Sequence, residues 1–148
     1  DYFKFINKEI IKNEAIDYLE FGVYEGGTII DWPKINTNKN SRFFAFDKFP
    51  PKYPIPKIDD ERVHFVKGLF QDTLQTFLST YLPNNRLIVH NDSDLYSSSL
   101  YLLFTDQAAF FNSSVLLTSG PLITTLVRRS AGLAMANTSF CVMLEVFL

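Results

Sequence analysis

The chain has 148 residues, 47% of them apolar, which is enough to bury one core and too short for two, so a single domain over 1–148 is expected. The formal charge is only −2, and Lys4, Lys8, Lys12, Lys34, Lys39 and Lys67 are scattered; no basic stripe exists to neutralise a row of phosphates, and nucleic acid is not an expected partner. One cysteine, Cys141, and two histidines supply neither an internal disulfide nor a zinc-type cluster, which fits a reducing cytoplasm.

Asp1 to Tyr18 mixes charged and apolar residues instead of running apolar as a signal peptide does. Tyr2, Phe3, Phe5, Ile6, Ile10, Ile11 and Ala15 recur at helical intervals, predicting an amphipathic helix over 1–15 that covers a sheet edge or face. Ile16 to Val23 then reads as a short strand running into Gly22, Gly26 and Gly27. Thr28 is the expected cap of a helix through Ile29, Ile30 and Trp32, with Pro33 either tolerated in its first turns or cutting it short.

Arg42 to Asp47 is a second strand ending in an acid, followed by an exposed loop with Pro50, Pro51, Pro54 and Pro56. Val63 to Gly68 is a third strand, Asp72 to Tyr81 a helix, and Leu87 to Asn91 a fourth strand ending at Asp92. Ser97 to Phe111 is helical by pattern, and Ser114 to Thr118 is a fifth strand. Strands separated by helical segments of this length call for a parallel sheet with right-handed crossovers.

The remaining segment is unusual. Of 14 basic and 16 acidic residues, only Asp106, Arg128, Arg129 and Glu145 lie beyond residue 100, whereas a domain surface normally needs charge throughout. Ser114 to Leu148 is the most apolar stretch, but Gly120, Pro121, Arg128, Arg129 and Gly132 interrupt it before the roughly 20 apolar residues of a membrane span. A soluble protein is expected.

In a doubly wound sheet, ligands lie beyond the carboxyl ends of the strands, near the point where strand order reverses. Those ends are Glu20 to Gly27, Asp47, Gly68 to Gln71, Asp92 to Asp94 and Thr118 to Gly120. Asp47 is placed either to accept hydrogen bonds from the two hydroxyls of a ribose or to cap the following loop. The spacing Gly22-x-x-x-Gly26-Gly27 is not the dinucleotide G-x-G-x-x-G and argues against NAD and a dehydrogenase. Asp92 and Asp94 are suited to a hard cation or to general-base work, with helix capping by Asp94 or Ser97 the plainer alternative. His64, His90, Trp32 and the phenylalanines of the strands are assigned to packing.

Four stretches in order carry a family resemblance: 18–27 (YLEFGVYEGG), 44–49 (FAFDKF), 68–74 (GLFQDTL) and 92–98 (DSDLYSS). Over residues 16–118 the chain resembles the macrocin O-methyltransferase family of class I, S-adenosylmethionine (SAM)-dependent enzymes that methylate sugar hydroxyls. The resemblance implies a Rossmann-like three-layer α/β sandwich with a mainly parallel sheet, five parallel strands and a carboxyl-terminal hairpin. It implies that Glu20, Gly22, Tyr24 and Gly26 hold the methionine side of SAM, that Asp47 takes the ribose, and that Gly68, Phe70 and Gln71 border the adenine. It further implies Asp92 as metal ligand and general base with Asp94 beside it, Mg²⁺ as the metal, and a sugar or glycoside as the small-molecule acceptor.

The departures bear on activity. Ser119 and Gly120 stand where the family has an acidic pair that completes the metal site, and a serine hydroxyl is a poor substitute for a carboxylate. Pro50, Pro51 and Lys52 replace an acidic, glycine-containing stretch. From Pro121 on, the resemblance ends. An impaired SAM-binding relative is therefore the alternative to an active methyltransferase. Ser139 to Leu148 is short for the two hairpin strands, and the apolar run Phe140 to Leu144 invites edge pairing, as in a homodimer.

Overall fold

The computed structural model describes residues 2–82, 84–93 and 101, and gives the strands 115–119 and 123–127 as backbone. Its elements are α1 (Tyr2–Phe5), a π-helical segment (Ile6–Ile11), β1 (Ile16–Phe21), α2 (Gly27–Ile35), β2 (Arg42–Asp47), β3 (Val63–Lys67), α3 (Phe70–Thr80), β4 (Arg86–Asn91), β5 (Val115–Ser119) and β6 (Ile123–Val127).

The six described strands form one sheet in the order β3-β2-β1-β4-β5-β6. The first five run parallel, and β6 returns antiparallel to β5. Strand order reverses between β1 and β4, so the carboxyl ends of these two neighbours open the crevice in which an α/β sheet takes its ligand.

Burial on both faces explains the near-continuous apolar runs of β1, β2 and β4. One face turns Ile16, Tyr18, Phe43, Ala45 and Ile88 toward Ile6, Ile11, Ile29 and Trp32. The other turns Leu19, Phe21, Phe44, Phe46, Leu87 and Val89 toward Phe70 and Leu74 of α3. The result is helix, sheet and helix in three layers, as the strand and helix spacing predicts.

Three local differences have physical reasons. The opening helix is shorter than 1–15, because Lys12 and Asn13 adopt positive φ (56° and 55°) and end it. Helix α2 is capped by Gly26 and not by Thr28: the chain turns through a left-handed residue (φ 85°) two positions earlier, which only glycine does without strain. Pro33 is accommodated inside α2, which ends two residues later at Ile35.

At the sheet edge, β6 falls in the segment after Pro121, where the resemblance had ended. The expected hairpin in 139–148, the edge-pairing run 140–144 and the expected helix 97–111 lie outside the described residues, apart from the helical Tyr101.

Candidate functional site

A cavity of about 500 Å³ lies at the carboxyl ends of β1, β2, β3 and β4. Its lining includes seven of the expected site residues, Gly22, Tyr24, Asp47, Gly68, Phe70, Gln71 and Asp92, and its size is within the usual range for small-molecule pockets. Also around it are Lys48, Pro50, Tyr53, Leu69 and Ser93. Phe70 and Gln71 belong to the first turn of α3, which starts two residues before the periodicity suggests.

Gly22 makes the cavity floor thin. A Cβ there would stand 2.5 Å from the carbonyl oxygen of Asp92, and φ is +93°. The amide of Asp92 donates to the Phe21 carbonyl at 2.8 Å, so β4 stays bonded to β1 up to the point where both chains turn away. Gly68 (φ +147°) shapes the end of β3, where a Cβ would meet Thr73 Cγ2 at 2.6 Å.

The firm hydrogen bonds of Asp47 go to the loop after β1 and not to the loop that follows it. Its Oδ2 accepts from the amides of Val23 (2.7 Å) and Tyr24 (3.0 Å), holding the β1–α2 loop from the neighbouring strand. Its Oδ1 accepts only a long bond of 3.4 Å, from the Phe49 amide, among the described residues.

Two expected cofactor residues do not line the cavity. Gly26 is required by its left-handed turn and by Pro56, whose Cγ would be 2.5 Å from a Cβ at this position. The proline loop therefore lies against the start of α2. Glu20 is buried under the cavity, where Tyr18 Oη donates to its Oε2 at 3.0 Å and also lies 2.8 Å from His90 Nδ1. Period two in β1 and the register Glu20 to His90 put all three on the face that packs against α2.

Among the described residues, no Lys or Arg is hydrogen-bonded to this buried chain. Burial pushes the Glu20 carboxyl up to about 8, against the pull of the Tyr18 hydrogen bond and with the negative charges of Asp92 and Asp47 adding to the rise. Burial pushes the Tyr18 hydroxyl well up and His90 down. Since the Tyr18 hydroxyl donates to Glu20 Oε2, its oxygen is left to accept from His90, which sets the ring proton of the neutral imidazole on Nδ1. The Trp32 indole nitrogen, buried on the same face, has no hydrogen-bond partner among the described residues.

Asp92 is exposed in the cavity just beyond β4. The β4–β5 register sets Ser119 beside Asn91, at the end of the strand next to Asp92. Asp94 and Gly120 lie outside the described residues. No group of three His, Cys, Asp or Glu side chains that would hold a metal ion is assembled among the described residues. Among the described cavity-lining residues, Asp47 and Asp92 bring the carboxylates, the ligand type that Mg²⁺ takes beside several waters. The lining groups suit a ligand such as SAM: Gly22 at the end of β1, a carboxylate on Asp47 at the end of β2, and Leu69 and Phe70 as an apolar wall.

The fold is similar to that of a solved structure, the apo form of CalS11, a TDP-rhamnose 3'-O-methyltransferase of calicheamicin biosynthesis. The TM-score is 0.55 at 20% identity, over 78% of this chain and 59% of that one. This is the class I methyltransferase fold. The chain spans 59% of the length of CalS11, and at this identity the likeness speaks for the fold. No family model matches the sequence, and no curated protein matches it. Within this fold, the segments after β1, β2, β3 and β4 meet at the cavity. No helix among the described residues is long and apolar enough to cross a membrane.

Proposed function

We propose that this chain binds SAM in the cavity between β1 and β4 and is an O-methyltransferase acting on a hydroxyl of a sugar or polyol-containing small molecule. The observation that carries the reading is the convergence of Gly22, Asp47, the Gly68 to Gln71 turn and Asp92 on one cavity at the switch point. The four ordered stretches that resemble the macrocin O-methyltransferases support the same assignment. CalS11 acts on a nucleotide sugar, which makes such sugars a first acceptor class to try.

Bound SAM supplies an electrophilic methyl group on a sulfonium. Gly22 lets the backbone approach the methionine side closely, and the Tyr24 backbone, tied to Asp47, fixes the loop around it. Asp47 Oδ1 accepts from a ribose hydroxyl, while Gly68, Phe70 and Gln71 border the adenine. Asp92 accepts a hydrogen bond from the acceptor hydroxyl and takes its proton as the oxygen attacks, so that negative charge does not accumulate on that oxygen. Glu20 acts from beneath, as part of the buried chain with Tyr18 and His90. No step runs through a metal.

Transfer of labelled methyl from SAM to a panel of nucleotide sugars and glycosides tests this reading. Asp92→Asn is expected to lower the rate by about 100-fold or more, the usual range for a lost general base. A panel that accepts no label, with Mg²⁺ supplied, favours the second reading, an impaired SAM-binding relative; its motive is Ser119, a neutral residue at the strand end beside Asp92. In that case Ser119→Asp with Gly120→Glu should bring Mg²⁺ binding that the parent protein lacks.

A further inference from the structure

The mouth of the cavity carries two tyrosines that the core does not use. Tyr24 is 58% exposed and holds φ at +50°, a left-handed conformation in which a bulky side chain is strained and glycine or asparagine would be at ease. Its ring lies 4.4 Å from that of Tyr53, tilted by 50°, with the hydroxyls 3.4 Å apart. Tyr53 stands in a turn closed by its own amide on the Pro50 carbonyl (2.8 Å), within the proline loop that Pro56 seats against Gly26.

Neither ring belongs to the buried clusters, yet both line the cavity. Asp47 holds the Tyr24 backbone in this conformation through its amide, and the conformation turns a large exposed ring to the cavity where it adds nothing to the core. The hydroxyl contact is too long to be a strong latch, so the rings themselves are what the two loops present. The Lys52 ammonium lies 5.0 Å above the Tyr53 ring, and Lys48 is on the same rim, whereas the acids Asp47 and Asp92 are among the lining residues at the strand ends. An aromatic surface flanked by cations suits a flat ring bearing electron-rich or anionic groups.

We propose that Tyr24 and Tyr53 form a platform for a flat ring of the acceptor, either the base of a nucleotide sugar or an aryl aglycone, whose sugar is then offered to Asp92. The platform rests on the reading of the cavity as a SAM-dependent O-methyltransferase site. It also gives Tyr24 two separable parts: a backbone that shapes the cofactor loop and a ring that meets the acceptor.

The test is calorimetry of the whole chain with three probes: thymidine diphosphate, 4-nitrophenyl glucoside and S-adenosylhomocysteine. At least one ring probe should bind, and saturation with S-adenosylhomocysteine should not displace it. Tyr53→Ala should weaken that probe by about tenfold or more, as loss of an aromatic stacking partner does, while Tyr53→Phe keeps most of the affinity. S-adenosylhomocysteine should weaken far less than the ring probe in Tyr53→Ala. Preference for thymidine diphosphate assigns the platform to a base, and preference for the glucoside assigns it to an aglycone.

The proposal is overturned if neither ring probe binds, if Tyr53→Ala leaves the bound probe unaffected, or if it weakens S-adenosylhomocysteine equally. Absence of S-adenosylhomocysteine binding instead removes the SAM reading, and the platform is then judged on the ring probes alone. Tyr53 is outside the core, so circular dichroism of Tyr53→Ala should match the parent.

Discussion

A Cβ on Gly22 would stand 2.5 Å from the carbonyl oxygen of Asp92. This contact brings the loop after β1 and the loop after β4 together at the switch point, and it leaves no room for adjustment because the opposing atom is backbone. Gly22→Ala should therefore cost about 2 kcal/mol or more, from the clash and from φ +93° together. Gly27→Ala is the matched control, since nothing lies within 4 Å of a Cβ there and alanine is the better helix former. Urea unfolding of both variants checks the contrast.

Asp47 is predicted to hold the glycine loop in the absence of any ligand. Removing its carboxylate by Asp47→Ala takes the acceptor from the Val23 and Tyr24 amides at 2.7 and 3.0 Å. Hydrogen bonds to a charged acceptor are worth about 1.5–3 kcal/mol, so exchange of these amides should speed up by about tenfold or more. Asp47→Asn, which retains an acceptor oxygen, should fall between. Hydrogen exchange read at residues 23 and 24 decides this.

Glu20 makes stability depend on pH in an unusual direction. Its ordinary value is 4.5 and its folded value about 8, so between these limits the folded state binds more protons than the unfolded one. Stability from this group is full below about pH 4.5, falls as pH rises, and levels off above about 8. Glu20→Gln should flatten that fall and be the more stable protein at pH 9, by an amount on the order of a few kcal/mol. Denaturant midpoints at pH 5 and pH 9 measure it.

Asp17 and Arg42 form a staple far from the cavity, at the amino ends of β1 and β2. Two Arg42 nitrogens donate to Asp17 at 2.9 and 2.6 Å, and Asp17 also accepts from Tyr81, Asn84 and Asn85. Burial pushes the Asp17 carboxyl up, but these donors outweigh it and hold it below its ordinary value of 3.8. The staple therefore loses strength as pH falls through the acidic range. Because three other donors remain and Arg42 is partly exposed, Arg42→Ala should cost about 2 kcal/mol, less than the roughly 3–5 kcal/mol of a fully buried pair broken on one side. Thermal unfolding at neutral pH checks the value.

The strands were legible because a parallel sheet buried on both faces must be written as short apolar runs, and 16–21, 42–47 and 86–91 are written that way. Asp47 was legible by its place after such a run. Glu20 looked like a cavity residue because it precedes Gly22, but strand period two turns it to the face below. Gly26 looked like a ligand contact, and its reason is Pro56, a partner 30 residues away that no local pattern announces. Tyr53 was hidden in the same way, since only the path of the proline loop carries it to Tyr24. The β-branched run of β6 carried a strand signal that the fading resemblance after Pro121 obscured.

Calorimetric titration with S-adenosylhomocysteine, with and without Mg²⁺ and beside an NAD control, bears most directly on the SAM assignment. Saturable binding that needs no Mg²⁺, that NAD does not reproduce, and that Asp47→Ala removes is the predicted result. No binding by the folded parent protein, or binding that NAD matches, would contradict the assignment of this cavity to SAM.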